Sequence, residues 1–338
     1  VLELPPSDGN PRNSEGDVVA LDDGRLLFVY TKFTGGGSDF DTAHLAGRYS
    51  EDAGAAWSEE DTVILPNEGG QNTMSVSLLR LDSGQIALFY LRKNSRADCR
   101  PFMRLSRDDG ETWSSATPCI NRKGYYVVNN DRVVQLDSGR LIIPVAIHSQ
   151  DGDVFQGTAK AACRISDDGG KTWRWSETIL DAPADSRTGL QEPGVATVNG
   201  RLMMFCRTDR GSQYVSWSDD DGETWSEPAP SNLVSPVSPA TIESLPGTDY
   251  LVAVYNDHND APESIHGKRT PLTLARSEDG ESWQRLAQLE TDPEGWYCYT
   301  AMHFTDTHML LAYCAGNEDI GRLSRTRIVR IPLAGLLP

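Results

Sequence analysis

The 338-residue chain has no apolar run approaching the ~18 residues that a membrane-spanning helix needs. It has no sustained helical period and no glycine-rich phosphate-binding loop. Its 6 histidines and 6 cysteines fall into no zinc-ligand spacing, so neither a metal nor another cofactor is expected. Positive charge is scarce. Lys and Arg number 31 against 49 Asp and Glu, a formal net charge of −18, which makes nucleic acid a poor partner. No signal peptide is visible and the chain opens at Val1, as a mature or trimmed chain does. The cysteines (Cys99, Cys119, Cys163, Cys206, Cys298 and Cys314) form no metal motif, and several sit in apolar stretches as buried thiols do. Their even count permits disulfides, with Cys99–Cys119 the first pair to consider.

What the chain does have is a repeat. Ser166-Asp167-Asp168-Gly169-Gly170-Lys171-Thr172-Trp173 has the skeleton Ser-x-Asp-x-Gly-x-Thr-Trp, which returns at 106–113 and 218–225. Weaker copies stand at 50–57 and at 276–283, the latter with Glu278 where Asp is expected. The closing residues Trp57, Trp113, Trp173, Trp225 and Trp283 are 52 to 60 residues apart. A near-constant period means one supersecondary unit stacked many times. Ser and Asp bond their own turn backbone, Gly supplies positive φ, and Trp pins the turn onto apolar neighbours. An EF-hand reading fails, because the bidentate Glu and the ligand spacing are missing.

Around each box the sequence reads as strands. Residues 17–21 and 25–30 flank the turn Asp22-Asp23-Gly24, and the plan recurs at 76–81 and 86–90, at 133–136 and 141–145, and at 195–198 and 202–206. A third strand runs into the box and a fourth follows the Trp. The expected fold is therefore all-β: a six-bladed β-propeller of four-stranded antiparallel blades, five of them carrying boxes, in a single domain over 1–338. The sixth blade starts at 299–304, and Val1-Leu2-Glu3-Leu4 is expected to supply its outermost strand and so hide the sheet edges.

In such a ring, polar groups just before each inner strand converge at one mouth, away from the boxes. Those stretches are unusually polar: Arg12-Asn13-Ser14-Glu15-Gly16-Asp17, Gln71-Asn72-Thr73, Asn129-Asn130-Asp131-Arg132, Gln191-Glu192-Pro193, Ser235 to Pro239, and Trp296-Tyr297-Cys298-Tyr299. Acids, arginines, amides and tyrosines on one concavity suit a carbohydrate or an anionic ligand.

On these boxes and positions the chain resembles the sialidase superfamily of six-bladed propellers, over almost its whole length. The resemblance implies roles residue by residue. Glu192 and Arg207 look like the family's glutamate and second arginine, and Arg269 like its third. Tyr299 lies where sialidases carry a nucleophilic tyrosine, with Tyr297 as the rival. Asp39, in Gly35-Gly36-Gly37-Ser38-Asp39, resembles the acid/base aspartate, its offset from Ser50 suiting the role better than that of Asp41. The family's opening Arg-Ile-Pro segment is absent. Arg12 is a displaced substitute, Glu15 and Asp17 put negative charge there, and Arg132 beside Asp131 offers a different clamp.

These residue types fit one chemistry. Arginines clamp a carboxylate bidentately. A phenol nucleophile is not repelled by that carboxylate, but it needs a base, here Glu192. Asp39 would protonate the leaving oxygen. The expectation is a retaining, metal-free exo-glycosidase for a terminal acidic sugar such as a sialoside, with Tyr299, Glu192 and Asp39 catalytic. Substrate contacts are expected from Arg207, Arg269, Arg12, Arg132, Asp131, Asn72, Glu15, Asp17 and Tyr297. The alternatives are a propeller glycosidase or polysaccharide lyase for another sugar, and a non-catalytic glycan-binding propeller. The expected partner is a glycan, and the expected location is secreted or periplasmic.

Overall fold

A computed structural model describes residues 2–337. Among them the only helical elements are two three-residue 3-10 turns; the rest is strand and loop. The hairpin turns form as their residues dictate. At Asp22-Asp23-Gly24 the Gly24 N–H donates to the Leu21 carbonyl at 3.0 Å and Leu21 N–H to that of Arg25 at 2.8 Å, with Gly24 at φ 88°, where a Cβ would be strained.

The strands form four four-stranded sheets and one of nine strands. The first sheet runs Arg12–Ala20, Leu26–Phe33, Ala43–Ser50, Thr62–Leu65. Two others repeat that order: Gln191–Val198, Arg201–Arg207, Ser212–Ser218, Ala229–Val234, and then Thr241–Ser244, Leu251–Asn256, Leu272–Ser277, Gln284–Glu290. In the last, Gly295–Phe304, His308–Asn317 and Thr326–Pro332 are completed by Leu2–Leu4 from the other end of the chain. That strand is the one expected from the N-terminus; Val1 itself lies outside the described residues.

The nine-stranded sheet has two halves. One holds Asn72–Arg80, Ile86–Ser95, Asp98–Ser106 and Thr117–Pro118; the other holds Gly124–Val127, Val134–Gln135, Leu141–Gln150, Lys160–Ser166 and Arg174–Trp175. A single parallel bridge, Tyr125 to Cys99, joins them. Here the structure departs from the expected inner strand at 133–136, which shrinks to two residues. The preceding backbone is spent on the neighbouring half instead: Asp131 N–H donates to the Val76 carbonyl at 3.0 Å and Arg132 N–H to Ser77 Oγ at 2.9 Å. Gly124–Val127 takes the vacated edge of Leu141–Gln150.

The repeat turns share one hydrogen-bond pattern. In the second, third and fourth copies the Ser Oγ donates to the Asp carboxylate at 2.8 Å and accepts the Gly N–H at 2.8–2.9 Å, and the Asp accepts the Thr N–H at 2.9 Å. The degenerate copy before Trp283 corrects the sequence reading. It is one residue shorter, so Ser277 and Asp279 make these bonds and not Arg276 and Glu278. Each turn glycine lies against the preceding unit: Gly110 on Leu27, Gly170 on Met103, Gly222 on Ile142, Gly280 on Met203, and Gly54 on Leu310 of the last sheet. Ser218→Ala should cost about 1–2 kcal/mol in urea unfolding, since it strands the buried Gly222 N–H, with activity per folded molecule unchanged.

Inner strands pack side by side. Arg12–Ala20 lies between Asn72–Arg80 and Gly295–Phe304, and Gln191–Val198 lies between Leu141–Gln150 and Thr241–Ser244. All six cysteines are free and buried. Cys99 and Cys119, the first pair to consider, are not bonded to each other; Cys119 N–H bonds the Pro101 carbonyl, two residues along the strand from Cys99.

Candidate active site

Register places the repeat turns and the starts of the inner strands at opposite ends of each sheet. Ser50 pairs with Leu26 and Leu26 with Ala20, whereas Arg12 pairs with Phe33 and Phe33 with Ala43. At the second end lies a cavity of about 430 Å³, whose chemistry-bearing walls are Glu15, Asp39, Lys93, Glu192, Arg207, Arg269 and Tyr299. A larger groove, about 700 Å³, lies beyond His148 between 147–160 and 181–186, but carries neither an arginine nor a tyrosine.

One backbone device presents several of these side chains. Glu15, Ser75, Glu192 and Tyr299 have φ of 53°, 55°, 50° and 56°, and each sits at a β-bulge at the start of an inner strand. A non-glycine residue in this region stores strain, on the order of 1 kcal/mol or more, and a bulge re-aims its side chain. Next to Glu15, Gly16 is required by crowding, since a Cβ there would lie 2.5 Å from the Phe28 ring.

Tyr299 Oη donates to Glu192 Oε1 at 3.0 Å. Arg207 Nη1 lies 2.8 Å from the same oxygen, and the Arg269 guanidinium stacks 5.3 Å from the centre of the Tyr299 ring. Burial would raise Glu192, but Arg207 and then Arg269 outweigh it and hold the carboxyl below the usual carboxylate range. Burial, followed by the Glu192 charge, pushes the Tyr299 phenol well above its ordinary value. The pair is thus a neutral phenol beside an ionised base. Glu192 Oε2, Arg207 Nε, and Arg269 Nε and Nη1 are buried without a hydrogen-bond partner among the described residues. Two arginines with unused donors facing one cavity suit an anion.

Arg12 does not line the cavity. It is 1% exposed, and its donors are spent on Ser14 Oγ at 3.0 Å, Glu15 Oε1 at 2.9 Å, the Gly37 carbonyl at 3.3 Å and Asp39 Oδ1 at 2.5 Å. It holds the glycine-rich loop in place with Asn72, whose Nδ2 donates to the carbonyls of Asp39 and Asp41 at 2.8 and 2.9 Å. Burial works to raise Asp39, but Arg12 and Lys93 lower it below the ordinary value.

Asp17, Asp131, Arg132 and Tyr297 also lie off the cavity wall. The first three each spend a polar group on the backbone of a neighbouring sheet. Asp17 accepts the Leu78 N–H at 2.7 Å, Asp131 accepts the Met302 N–H at 2.9 Å, and Arg132 Nη2 donates to the Ala240 carbonyl at 2.7 Å. Tyr297 packs on Tyr313 with ring centres 6.5 Å apart.

Sequence reasoning missed Ser75, Lys93, Tyr125, His148 and Phe155. Lys93 is buried, donates to the Asp39 carbonyl at 2.7 Å and sits 5.0 Å from the Phe40 ring centre. Its pairing with Asn72 was the available signal, because the residue opposite a strand start shares its end of the sheet. Tyr125, His148 and Phe155 form an aromatic wall with centroids 4.7–6.0 Å apart, contributed by segments with no period to announce them.

Comparison with known proteins gives the same picture of the fold. A Hadza microbial sialidase is 20% identical with a TM-score of 0.71, covering 96% of this chain and 66% of its own. A Trypanosoma rangeli sialidase is 16% identical with a TM-score of 0.75, covering 96% and 55%. A Dyadobacter fermentans protein of unknown function is 16% identical with a TM-score of 0.73, covering 97% of each chain. The chain thus spans about two thirds of the first sialidase and just over half of the second. No curated protein matches the sequence. The likeness to these structures establishes the fold alone, but a sequence match to the BNR repeat-like domain extends over residues 33–310. With the repeat in the sequence, that match makes the chain a member of the BNR repeat-like family.

Proposed function

We propose that the chain is a retaining exo-glycosidase that removes a terminal acidic sugar, with a sialoside as first candidate substrate. The observation that carries this reading is the Tyr299–Glu192 hydrogen bond beside two arginines with unused donors. Tyr299 Oη attacks the anomeric carbon while Glu192 takes its proton, and Arg207 and Arg269 hold the substrate carboxylate. Local charge supports an anion despite the overall −18. Arg12, Lys93, Arg207 and Arg269 stand against Glu15, Asp39 and Glu192. The family membership supports a glycosidase, and a sialidase activity is that of the similar proteins.

The architecture goes with it. We infer six blades in one domain over 1–338. The nine-stranded sheet counts as two blades, since one bridge joins its halves, and the contact of Gly54 with Leu310 joins the first unit to the last.

A second reading has its own support. With Arg12 turned away from the cavity, two arginines and not three face the ligand, which favours an acidic sugar other than sialic acid, cleaved by hydrolysis or by a lyase step. A non-catalytic glycan binder is the weaker reading, since it has no use for a phenol paired to a base. A panel of fluorogenic aryl sialosides, aryl uronides and neutral aryl glycosides separates the readings, with anomeric retention followed by NMR. Turnover of nothing in the panel sinks the hydrolase, and turnover of uronides alone selects the second reading. For the active substrate, the acidic limb of kcat/KM should lie below about pH 4.3. Glu192 must be ionised and is held below its ordinary value by Arg207 and Arg269, so activity persists until pH falls through that lowered value.

A further inference from the structure

Lys93 is the one buried lysine among the described residues, 3% exposed on the wall of the cavity. Lys32, Lys160 and Lys268 are ion-paired to Asp61, Asp181 and Glu294; Lys93 has no such partner among the described residues. Its ammonium donates to the Asp39 carbonyl at 2.7 Å and to Met74 Sδ at 3.3 Å, and lies 5.0 and 5.7 Å from the ring centres of Phe40 and Tyr125. We propose that Lys93 is a specificity-determining residue, whose remaining N–H reads a hydroxyl on the part of the sugar remote from the carboxylate; this rests on the acidic-glycoside reading above.

The fold does not require this charge. The Asp39 carbonyl already accepts Asn72 Nδ2 at 2.8 Å, so it is satisfied without the lysine. A thioether is a weak acceptor, and two aromatic faces restore only part of the lost hydration. Glu15 and Asp39, the carboxylates on this side of the cavity, are both held by Arg12. A buried ammonium without a carboxylate partner costs stability, and a residue that costs stability is kept where it serves function.

The chemistry of the wall names the group that is read. An ammonium has three donors and no acceptor; two are engaged, so the third calls for an oxygen acceptor. That oxygen is uncharged. Four cations stand against three carboxylates around the cavity, and a substrate carboxylate at Arg207 and Arg269 neutralises the difference. Asn129 adds the second half. It lines the same cavity, is 4% exposed, and its Oδ1 is buried without a hydrogen-bond partner among the described residues. A group that only donates and an oxygen that only accepts, on one wall, are matched by hydroxyls, which do both. Met74, Leu91 and Tyr125, all buried, frame the wall with apolar surface. A site of this kind rejects an analogue that lacks the hydroxyl, because its own polar groups are then left unpaired. Lys93 comes from Ile86–Ser95 and Arg207 from Arg201–Arg207, in different sheets, so hydroxyl and carboxylate belong to different sides of the sugar.

The test is Lys93→Met, which keeps an apolar stem among Met74, Phe40 and Tyr125 and removes the charge. Its urea midpoint should equal or exceed that of the wild type. On the acidic aryl glycoside that the wild type hydrolyses, beginning with nitrophenyl sialoside, kcat/KM should fall about 10–100-fold, the usual loss for a hydrogen bond to a charged group. The same glycoside is then made in versions that each lack one hydroxyl. The wild type should lose about 10–100-fold on one of them, whereas Lys93→Met should hydrolyse that analogue and the parent within about 3-fold of each other, the non-additivity of two groups in contact. Its discrimination among the other analogues should match that of the wild type. A purely structural lysine would lower the midpoint or lower activity on every analogue by one factor. Either result, and equally a variant that does not fold, overturns the assignment while the wild type remains a glycosidase. A wild type that turns over no acidic glycoside overturns the parent reading and this one together.

Discussion

Tyr299→Phe will lower kcat/KM on the active acidic glycoside roughly 10³-fold or more, with the fold intact. The substitution removes one oxygen. Its only hydrogen bond among the described residues is the 3.0 Å bond to Glu192 Oε1. The ring stays, and with it the stacking of Arg269 at 5.3 Å. Glu192 keeps Arg207 at 2.8 Å, so no buried carboxylate is left without a partner. Unfolding free energy should move by no more than about 1 kcal/mol, and a carboxylate inhibitor held by Arg207 and Arg269 should bind within a few-fold of wild type. Because the phenol and its base act as one unit, Tyr299→Phe with Glu192→Gln should be little worse than Tyr299→Phe alone. More than a tenth of wild-type activity in the single variant would remove Tyr299 from the chemistry.

Arg12→Met will destabilise the protein by about 3–5 kcal/mol in urea unfolding, the usual cost of removing one partner from a buried ion pair. Arg12 is 1% exposed and has four hydrogen-bond partners. Met keeps much of the stem against the Phe33 ring, over which the guanidinium lies at 4.5 Å, so the loss comes chiefly from charge and hydrogen bonds. Glu15 would be left buried beside Ser75 alone. Arg12→Met combined with Glu15→Met should recover part of the loss, since replacing both partners removes the stranded charge. An unchanged urea midpoint for Arg12→Met would mean that the arrangement around it contributes nothing to the fold.

The positions of Glu192, Arg207, Arg269 and Tyr299 were legible because each is tied to a strand start or end that the repeat locates. Arg12, Asp17, Asp131, Arg132 and Tyr297 share the same neighbourhood in sequence yet face elsewhere. A strand alternates faces with a period of two, and a bulge shifts that alternation by one residue. Bulges at Glu15, Ser75, Glu192 and Tyr299 leave no mark in composition, so the sequence located the strand ends but not which side chains enter the cavity. Lys93 and the Tyr125–His148–Phe155 wall were hidden for a different reason, since they arrive from neighbouring strands and a loop.

The sequence by itself determined the repeat, the all-β class, the order of hairpins and the end of each unit that carries the polar groups. All of these follow from local chemistry: turn residues, alternation and spacing. Tertiary structure alone decided that Arg12 serves Glu15 and Asp39 and stays out of the cavity, that Asp17, Asp131 and Arg132 stitch neighbouring sheets together, and that Asp279 replaces Glu278 in the shortened turn. Those outcomes depend on register between segments far apart in the chain. A buried charge or polar group goes to whichever partner can satisfy it there, and that partner is not a neighbour in sequence.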